Sequence, residues 1–330
     1  MPDAPGMHEL TRAVDAAAAV RLQVTAADSV AEGVVALTIE HPQGWRLPSW
    51  SPGAHLDLVL GNGITRQYSL CGDRFDACRY RVAVLREPAS RGGSAYVHDV
   101  LRPGALVGLG GPRNNFHLVP SRRYRFAAGG IGITPILPMI AQAEAVAADW
   151  RLLYGGRTRA SMAFLDELAG YGDRVAIRPQ DEAGLLDIAS VVDDCDPGTR
   201  LYCCGPAPLL AAMEALCAGR PPGFLRTERF AAPAGGANTT RREPFEVELA
   251  RTGLVVTVGP GDSVLDALAR AGAPVLSSCQ QGVCGTCEVP VLSGEVDHRD
   301  SLLDDDERAD STCMFVCVSR ARGGRLVLDL

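Results

Sequence analysis

The sequence predicts a multidomain β + α/β + α+β chain, and three observations predict it. From about residue 20 to 118, short apolar or alternating runs are punctuated by Gly and Pro, as in an antiparallel β-barrel. From about 122 to 230, strand-like runs alternate with runs of helical period, as in a doubly wound parallel sheet. The last segment sets short strands and one helix around a loop dense in cysteine and glycine, as in a compact ubiquitin-like (β-grasp) roll. With 330 residues, each part has enough chain to bury a core of its own.

Within the first part, strands are expected at 22–24, 34–39, 55–60, 66–70, 80–86 and 106–108. In the second they are expected at 124–128, 150–154, 174–178 and 200–204, with helices at 135–148, 161–170, 185–193 and 207–218. In the third, strands 245–250 and 254–258 are joined by a turn at Thr252-Gly253. A helix follows, with Asp262 as N-cap and Gly272 as its stop. The cysteine loop spans about 277–287, and strands at 287–292, 314–318 and 325–329 complete a small sheet.

Hydrophobic residues make up 47% of the chain and charged residues 22%, a soluble globular composition. Asp3, Glu9 and Asp15 lie where a signal peptide would carry a basic end, and no apolar run approaches membrane-spanning length. The expected location is therefore cytoplasmic, with no membrane partner. All 32 basic residues are arginine, which excludes Schiff-base and lysine-nucleophile chemistry. Residues 244–330 carry fourteen Asp or Glu against seven Arg, a net charge of -7, so residues 1–243 balance to zero. That field disfavours nucleic acid and suits docking to a basic protein surface. For Asp304, Asp305, Asp306 and Glu307 alone, a solvated, negatively charged helix start is the plainer reading.

Cys279, Cys284, Cys287 and Cys317 follow the C-x4-C-x2-C…C spacing of plant-type 2Fe-2S ligation. Gly282 and Gly285 let the loop backbone wrap closely round the sulfurs. Structural zinc takes paired Cys-x2-Cys or Cys/His units, and only one x2 pair is present. Cys71, Cys78, Cys195, Cys203, Cys217 and Cys313 are expected as small core residues.

Arg66-Gln67-Tyr68-Ser69 ends a barrel strand with a cation, an aromatic face and a hydroxyl, the groups that a flavin phosphate and ring require. Arg and Tyr on one strand are common by themselves. Gly92-Gly93-Ser94 adds backbone N–H groups at a helix start, which an anion or a simple helix cap would use equally. Gly129-Gly130-Ile131-Gly132-Ile133-Thr134-Pro135 follows the first strand of the second part and leads into a helix. It is not the G-x-G-x-x-G fingerprint, and a tight strand-to-helix turn would read the same way. Cys204-Gly205-Pro206 closes a later strand of the same sheet, and the two turns together favour a nucleotide.

These motifs in this order, with Glu228-x-Phe230 and the C-terminal cysteines, resemble the phthalate dioxygenase reductase family of the ferredoxin-NADP reductase superfamily, including vanillate O-demethylase reductases, over about residues 20–330. The resemblance implies an N-terminal extension (1–19), an FMN-binding β-barrel (20–120), an NAD-binding α/β domain (121–231), a linker (232–243) and a 2Fe-2S plant-type ferredoxin domain (244–330). It implies that Arg66 binds the FMN phosphate with Gly92, Gly93 and Ser94, that Gln67 and Tyr68 lie along the flavin, and that Ser69 hydrogen-bonds near flavin N5. Gly129, Gly130, Gly132, Thr134 and Pro135 correspond to the pyridine-nucleotide turn, with Cys204, Gly205 and Pro206 near the nicotinamide and Phe230 covering the other flavin face. Arg157 and Arg159 follow the second parallel strand, where arginine can bind a 2′-phosphate and a solvated loop would read equally well. Family precedent favours NADH, and NADPH stays open.

The implied activity is electron transfer from NADH through FMN and the 2Fe-2S cluster to a Rieske-type aromatic oxygenase docked on the acidic ferredoxin domain, by a monomeric chain. A reductase for a cytochrome P450 or a carnitine-type monooxygenase, or a non-turning redox sensor, are the alternatives. No acid–base constellation is needed, and His55, His98, His117 and His298 are expected to be structural or surface residues.

Overall fold

The computed structural model describes residues 20–88, 92–231, 243–303 and 305–330. The expected extension at 1–19 and nearly all of the expected linker lie outside them. The chain divides into two compact units, one ending at Arg229 and the other beginning at Phe230.

The first unit opens with β1 (Val20–Ala31), β2 (Val34–Glu40), β3 (Ala54–Val59), β4 (Thr65–Ser69) and β5 (Arg79–Leu85), then α1 (Gly93–Asp99) and β6 (Leu106–Asn114). These strands form one antiparallel sheet in the order β4-β3-β6-β1-β2-β5. The Leu70↔Val82 bridge and the Cys71 N–H donating to the Arg81 carbonyl join its two edges, which makes the sheet a barrel. Alternating residues fill it: Leu22 and Val24, Leu37 and Ile39, Leu56 and Leu58, Val82 and Val84.

The parallel half continues with β7 (Arg123–Gly129), α2 (Ile133–Ala145), β8 (Asp149–Gly156), α3 (Leu165–Ala169), β9 (Val175–Pro179), α4 (Gln180–Ala183), α5 (Ile188–Asp193), β10 (Arg200–Cys204), α6 (Ala207–Cys217) and β11 (Leu225–Glu228). Its order is β11-β10-β7-β8-β9, all parallel, so the winding reverses between β7 and β10. Phe126 and Ala128 face a core with Ile136, Met139 and Trp150, while Ala127 faces Leu201, Leu210 and Met213. Both faces are therefore covered, as a parallel sheet requires.

Two expected helices are shorter than their periodicity implied. The one expected at 161–170 is reduced to Leu165–Ala169, because Thr158 and Ser161 cap each other in a 3-10 turn and Phe164 adopts a left-handed conformation, φ 64°. The one expected at 185–193 starts at Ile188, where the Asp187 carboxylate accepts from the Ser190 N–H, and Leu186 instead packs on Gly155. Strand β11 was not among the expected strands, since Leu-Arg-Thr-Glu offers no apolar alternation.

The second unit contains β12 (Phe245–Leu249), β13 (Leu254–Val258), α7 (Val264–Arg270), β14 (Glu288–Ser293), β15 (Val296–Asp297), α8 (Asp305–Asp310), β16 (Cys313–Phe315), β17 (Arg320–Ala321) and β18 (Arg325–Leu328). Its main sheet, β13-β12-β18-β14-β16, is mixed, with β12 and β18 parallel at its heart. Helix α7 packs Val264, Leu265 and Leu268 against Val247, Val289 and Leu326. The N-cap of α7 is Ser263, not the expected Asp262: Ser263 Oγ accepts from the Asp266 N–H at 3.0 Å, while Asp262 forms an ion pair with Arg270. Asp262 has a guanidinium within reach, and Ser263 is the residue in the extended conformation that a cap needs.

Within the first unit the barrel is seated on the parallel half by close contacts. Arg81 pairs with Glu167 at 2.7 Å and its guanidinium lies 4.7 Å from the Phe164 ring centre. The Glu32 N–H donates to the Ala160 carbonyl at 2.8 Å. Gly53 is at φ +91°, and a Cβ there would lie 2.0 Å from the Phe116 carbonyl oxygen and 3.0 Å from Met139. Gly53→Ala is expected to cost about 2 kcal/mol or more, read as a lowered urea midpoint at unchanged slope.

Candidate functional site

Strand β4 sets the first group of side chains. Arg66 is half-buried and runs across the start of α1, where an added Cβ on Gly93 would fall 2.6 Å from Arg66 Cγ and 2.8 Å from its Nε. Gly92, at φ +89°, supplies the N-cap, and its carbonyl accepts from the Tyr96 N–H. Ser94 is buried, with Oγ accepting from the Glu87 N–H at 3.1 Å, so its hydroxyl proton is free to donate. A cation and an adjacent glycine turn thus form a cradle for an anion. Burial pushes the Tyr68 phenol up to about 12, against the opposing pull of Arg66, so it is a neutral aromatic. Gln67 stands beside Asp57 in the strand register.

The second group sits at the carboxyl ends of β7 and β10, the reversal point of the parallel sheet, where crevices for ligands form. A Cβ on Gly132 would lie 2.3 Å from the Cys204 carbonyl oxygen, and one on Gly129 2.7 Å from Pro206 Cδ. A Cβ on Gly205 would lie 3.0 Å from Gly129 Cα. Only glycines allow these two turns to pack backbone on backbone. Gly130, at φ +54°, has nothing within 4 Å of where its Cβ would be. Thr134 Oγ1 donates to the Ile131 carbonyl and fixes the turn, and Pro135 is buried in the first turn of α2. Arg157 is exposed just beyond β8, whereas Arg159 is held by both carboxylate oxygens of Glu182, at 3.1 and 2.8 Å.

The two groups meet on a residue that was quoted from the sequence only as part of a motif. Glu228 ends β11 in register with Cys204. Ser69 Oγ donates to Glu228 Oε2 at 3.5 Å, and the Cys204 thiol approaches the same oxygen at 3.8 Å. Burial pushes the Glu228 carboxyl up to about 8, only partly offset by hydrogen bonds from Ser69 and Cys204. The Cys204 thiol is driven well above its ordinary range, by burial first and by Glu228 second, so it remains a thiol. Ser69, Cys204 and Glu228 come from three strands of the first unit. Phe230 is 44% exposed and opens the second unit.

In the second unit Cys284, Cys287 and Cys317 are buried and Cys279 partly so. Cys279 is in hydrogen-bonding contact with Cys284 and Cys317, and Cys317 with Cys287. No three His, Cys, Asp or Glu side chains among the described residues close round a single ion. The thiol contacts link the four sulfurs in one chain, Cys284–Cys279–Cys317–Cys287, a thiol set whose spacing is that of plant-type 2Fe-2S ligation. The Gln281 N–H donates to Cys279 Sγ at 3.2 Å, and Gly282 and Gly285 have φ +68° and +77°. A Cβ on Gly282 would strike Val318 and Asp300. The strand expected at 314–318 ends at Phe315, and a turn carries Cys317 to the loop. Cys313 lies opposite Pro290 on β16, apart from this group.

A 2Fe-2S iron-sulfur cluster binding domain matches residues 247–322 and encloses all four thiols. The chain is 45% identical over 315 residues to the phenoxybenzoate dioxygenase subunit beta of Ectopseudomonas oleovorans, covering 95% of this chain and 98% of the relative. The solved structure of phthalate dioxygenase reductase, described as a modular structure for electron transfer from pyridine nucleotides to [2Fe-2S], matches with TM-score 0.70 at 36% identity, over 94% of this chain and 98% of that one. The chain belongs to the phthalate dioxygenase reductase family. This reductase also matches an intact type IV self-sufficient cytochrome P450 monooxygenase, TM-score 0.89 at 42% identity, spanning 96% of itself and 41% of that longer chain.

The reductase is therefore an NAD(P)H-dependent flavin and iron–sulfur oxidoreductase whose business is electron transfer. No helix among its described residues is long and apolar enough to cross a membrane. Its Glu228 carboxyl binds a proton more tightly folded than unfolded, so this group's stabilising contribution is complete below about pH 4.5 and lost as pH rises through about 8. Glu228→Gln is expected to flatten the fall of stability across that window, a difference on the order of a few kcal/mol in unfolding free energy that shows as a shallower fall of the thermal midpoint with pH. Parallel melting curves of the two proteins against pH check this.

Proposed function

We propose that the chain is the NADH-dependent reductase component of a two-component Rieske non-haem iron aromatic oxygenase, with FMN as its flavin. The observation that carries this is the meeting of Ser69 from the barrel and Cys204 from the parallel sheet on Glu228, between an anion cradle and a nucleotide crevice. A bound flavin accepts a hydride as an electron pair and releases the electrons singly, the form an iron–sulfur centre takes.

The chain's own residues supply binding and orientation. Arg66, Gly92, Gly93 and Ser94 would hold the FMN phosphate, and Tyr68, neutral at every working pH, offers a ring face without charge. Ser69 Oγ can donate to the polar edge of the flavin by turning from Glu228, which takes back the bond afterwards. Cys204 presents a small neutral thiol, leaving room for the nicotinamide. Gly129, Gly130, Gly132, Thr134 and Pro135 would receive the pyrophosphate, with Gly205 and Pro206 closing the crevice. Cys279, Cys284, Cys287 and Cys317 would hold the cluster. The acidic second unit, net -7 over residues 244–330, suits a basic oxygenase surface.

For the cofactor's ribose, the reading favours NADH. Glu182 occupies Arg159, and Asp181 beside it adds a second negative charge that a 2′-phosphate would meet. Arg157 remains for the diphosphate or solvent. Glu182→Gln frees Arg159 and is expected to raise kcat/KM for NADPH roughly tenfold with NADH little changed; an unaltered preference would return Arg157 and Arg159 to the solvated surface.

The likeness to the P450 monooxygenase favours a second reading, in which the electrons reach a haem. Reconstitution with purified Rieske oxygenases and P450 domains separates the two by which one turns over. For the primary reading, the purified protein should show flavin and cluster absorbance, with FMN on extraction. Cys317→Ser should lose the cluster bands and at least about tenfold of its NADH-driven cytochrome c reduction while retaining ferricyanide reduction. Unchanged cytochrome c reduction in that variant would overturn the relay.

A further inference from the structure

The first unit holds a cavity that the scheme above does not use. It measures about 910 Å³ and lies at the amino ends of β7 and β8, where Tyr124 and Ala148 line it. The nucleotide crevice is at the opposite, carboxyl ends of the parallel strands. Helix α2 runs from one to the other: its 13 residues span about 20 Å, from the nucleotide turn to Gln142 on the cavity wall.

The apolar part of the lining comes from both halves of the unit. Pro52 belongs to the barrel, Leu118 to the segment joining barrel and parallel sheet, and Val146 to the turn after α2. Beside Val146, Ala147 stands at φ 52°, a helix-end position that glycine usually takes, so a methyl group is kept on the wall at a conformational cost.

The polar part is unsatisfied. Arg74 Nε and Gln142 Oε1 are buried with no hydrogen-bond partner among the described residues. Buried polar atoms in native proteins are nearly always paired, so two on one cavity point to something that fills it. The charge is also one-sided, because Arg74 and Arg122 line the cavity and no carboxylate does. Neither forms an ion pair among the described residues, whereas the adjacent Arg123 holds Asp149 and Asp196. The Arg74 guanidinium lies 4.2 Å from the Phe75 ring centre, a contact that occupies its face and leaves its N–H edge for an acceptor. Water can serve a buried Nε, but it cannot neutralise two guanidiniums.

We propose that this cavity is a binding site for a hydroxylated aromatic carboxylate. Arg74 and Arg122 would receive the carboxylate, Gln142 Oε1 would accept from the ring hydroxyl, and Pro52, Leu118 and Val146 would cover the ring. The choice of an aromatic acid among apolar anions rests on the function proposed above, since an aromatic oxygenase forms hydroxylated rings. The demand for an anion comes from the cavity itself. An acid held there would bridge the barrel and the parallel half, whose contact sets Ser69 on Glu228.

Calorimetric titration of the holoprotein with 3- and 4-hydroxybenzoate tests the site. At least one of the two is expected to saturate a single site at millimolar affinity or better. Phenol, which lacks the carboxylate, should bind about tenfold more weakly, and benzoate, which lacks the hydroxyl, about threefold more weakly. Arg74→Gln should weaken hydroxybenzoate about tenfold, with NADH-driven ferricyanide reduction unchanged when no acid is present. Gln142→Leu should abolish the preference for hydroxybenzoate over benzoate, an effect that a general loosening of the fold would not give. If Arg74→Gln misfolds, Arg122→Gln makes the same comparison at an exposed position. Saturating NAD⁺ should leave the titration unchanged, because the crevice is elsewhere. Binding that ignores both arginine substitutions, that phosphate or octanoate matches in strength, or that NAD⁺ displaces overturns the site. A holoprotein that oxidises NADH but takes up neither acid also overturns it and leaves the reductase function standing. A protein that holds no flavin or oxidises no NADH overturns that function, and the titration still decides the site.

Discussion

A single carboxyl group organises the first unit: Glu228, brought level with Cys204 by parallel pairing of β11 with β10 and touched by Ser69 from the barrel. Burying a carboxylate is costly, so the group stays protonated and needs a partner that can bond to it in either state. A serine hydroxyl and a thiol meet that need. The barrel must therefore be held against the parallel half to within hydrogen-bond tolerance. Arg81 against Glu167 and Phe164, the Glu32–Ala160 backbone bond and the Gly53–Phe116 contact do so at separate places.

Close backbone packing is the second constraint. The nucleotide crevice exists because Gly132 lies on the Cys204 carbonyl and Gly129 on Pro206, so the turns ending β7 and β10 act as one surface. The same device recurs at Gly93 beneath Arg66 and at Gly282 beneath the cysteine loop. At each place a Cβ would fall less than 3 Å from a neighbouring atom, so a side chain would displace a charged group or a turn. That is enough to spoil a site in which hydride transfer and ligation both depend on position.

The charge pattern works differently in the two units. With arginine as its only strong base, the chain matches many of its carboxylates with forked guanidinium contacts, as in Arg86–Asp99, Arg159–Glu182 and Arg251–Asp329. Exposed pairs of this kind add little stability. Their effect is selective, because they decide which arginines remain available to an anion. In the second unit acidic residues outnumber arginines, and the surplus defines a field rather than a fold.

Much of this was legible in one dimension. The C-x4-C-x2-C…C spacing, the glycines at 129, 130 and 132, and Arg66-x-Tyr68-Ser69 are local, because a turn or a ligand loop draws its constraints from neighbours in the chain. Helix lengths near 161–170 and 185–193 were misjudged for the same reason, since a side-chain cap at Thr158 or Asp187 competes with periodicity and wins. Strand β11 and the importance of Glu228 were not legible, because Leu-Arg-Thr-Glu has no pattern until β10 lies beside it. Arg74 and Gln142 read as routine polar residues until the fold sets them on one cavity. The sequence by itself determined the order of the parts and the cofactor chemistry they can hold, since those follow from residue type and short spacing. Only the tertiary structure decided which buried groups meet, because the pKa of a carboxyl and the pairing of a guanidinium depend on neighbours that folding brings from distant strands.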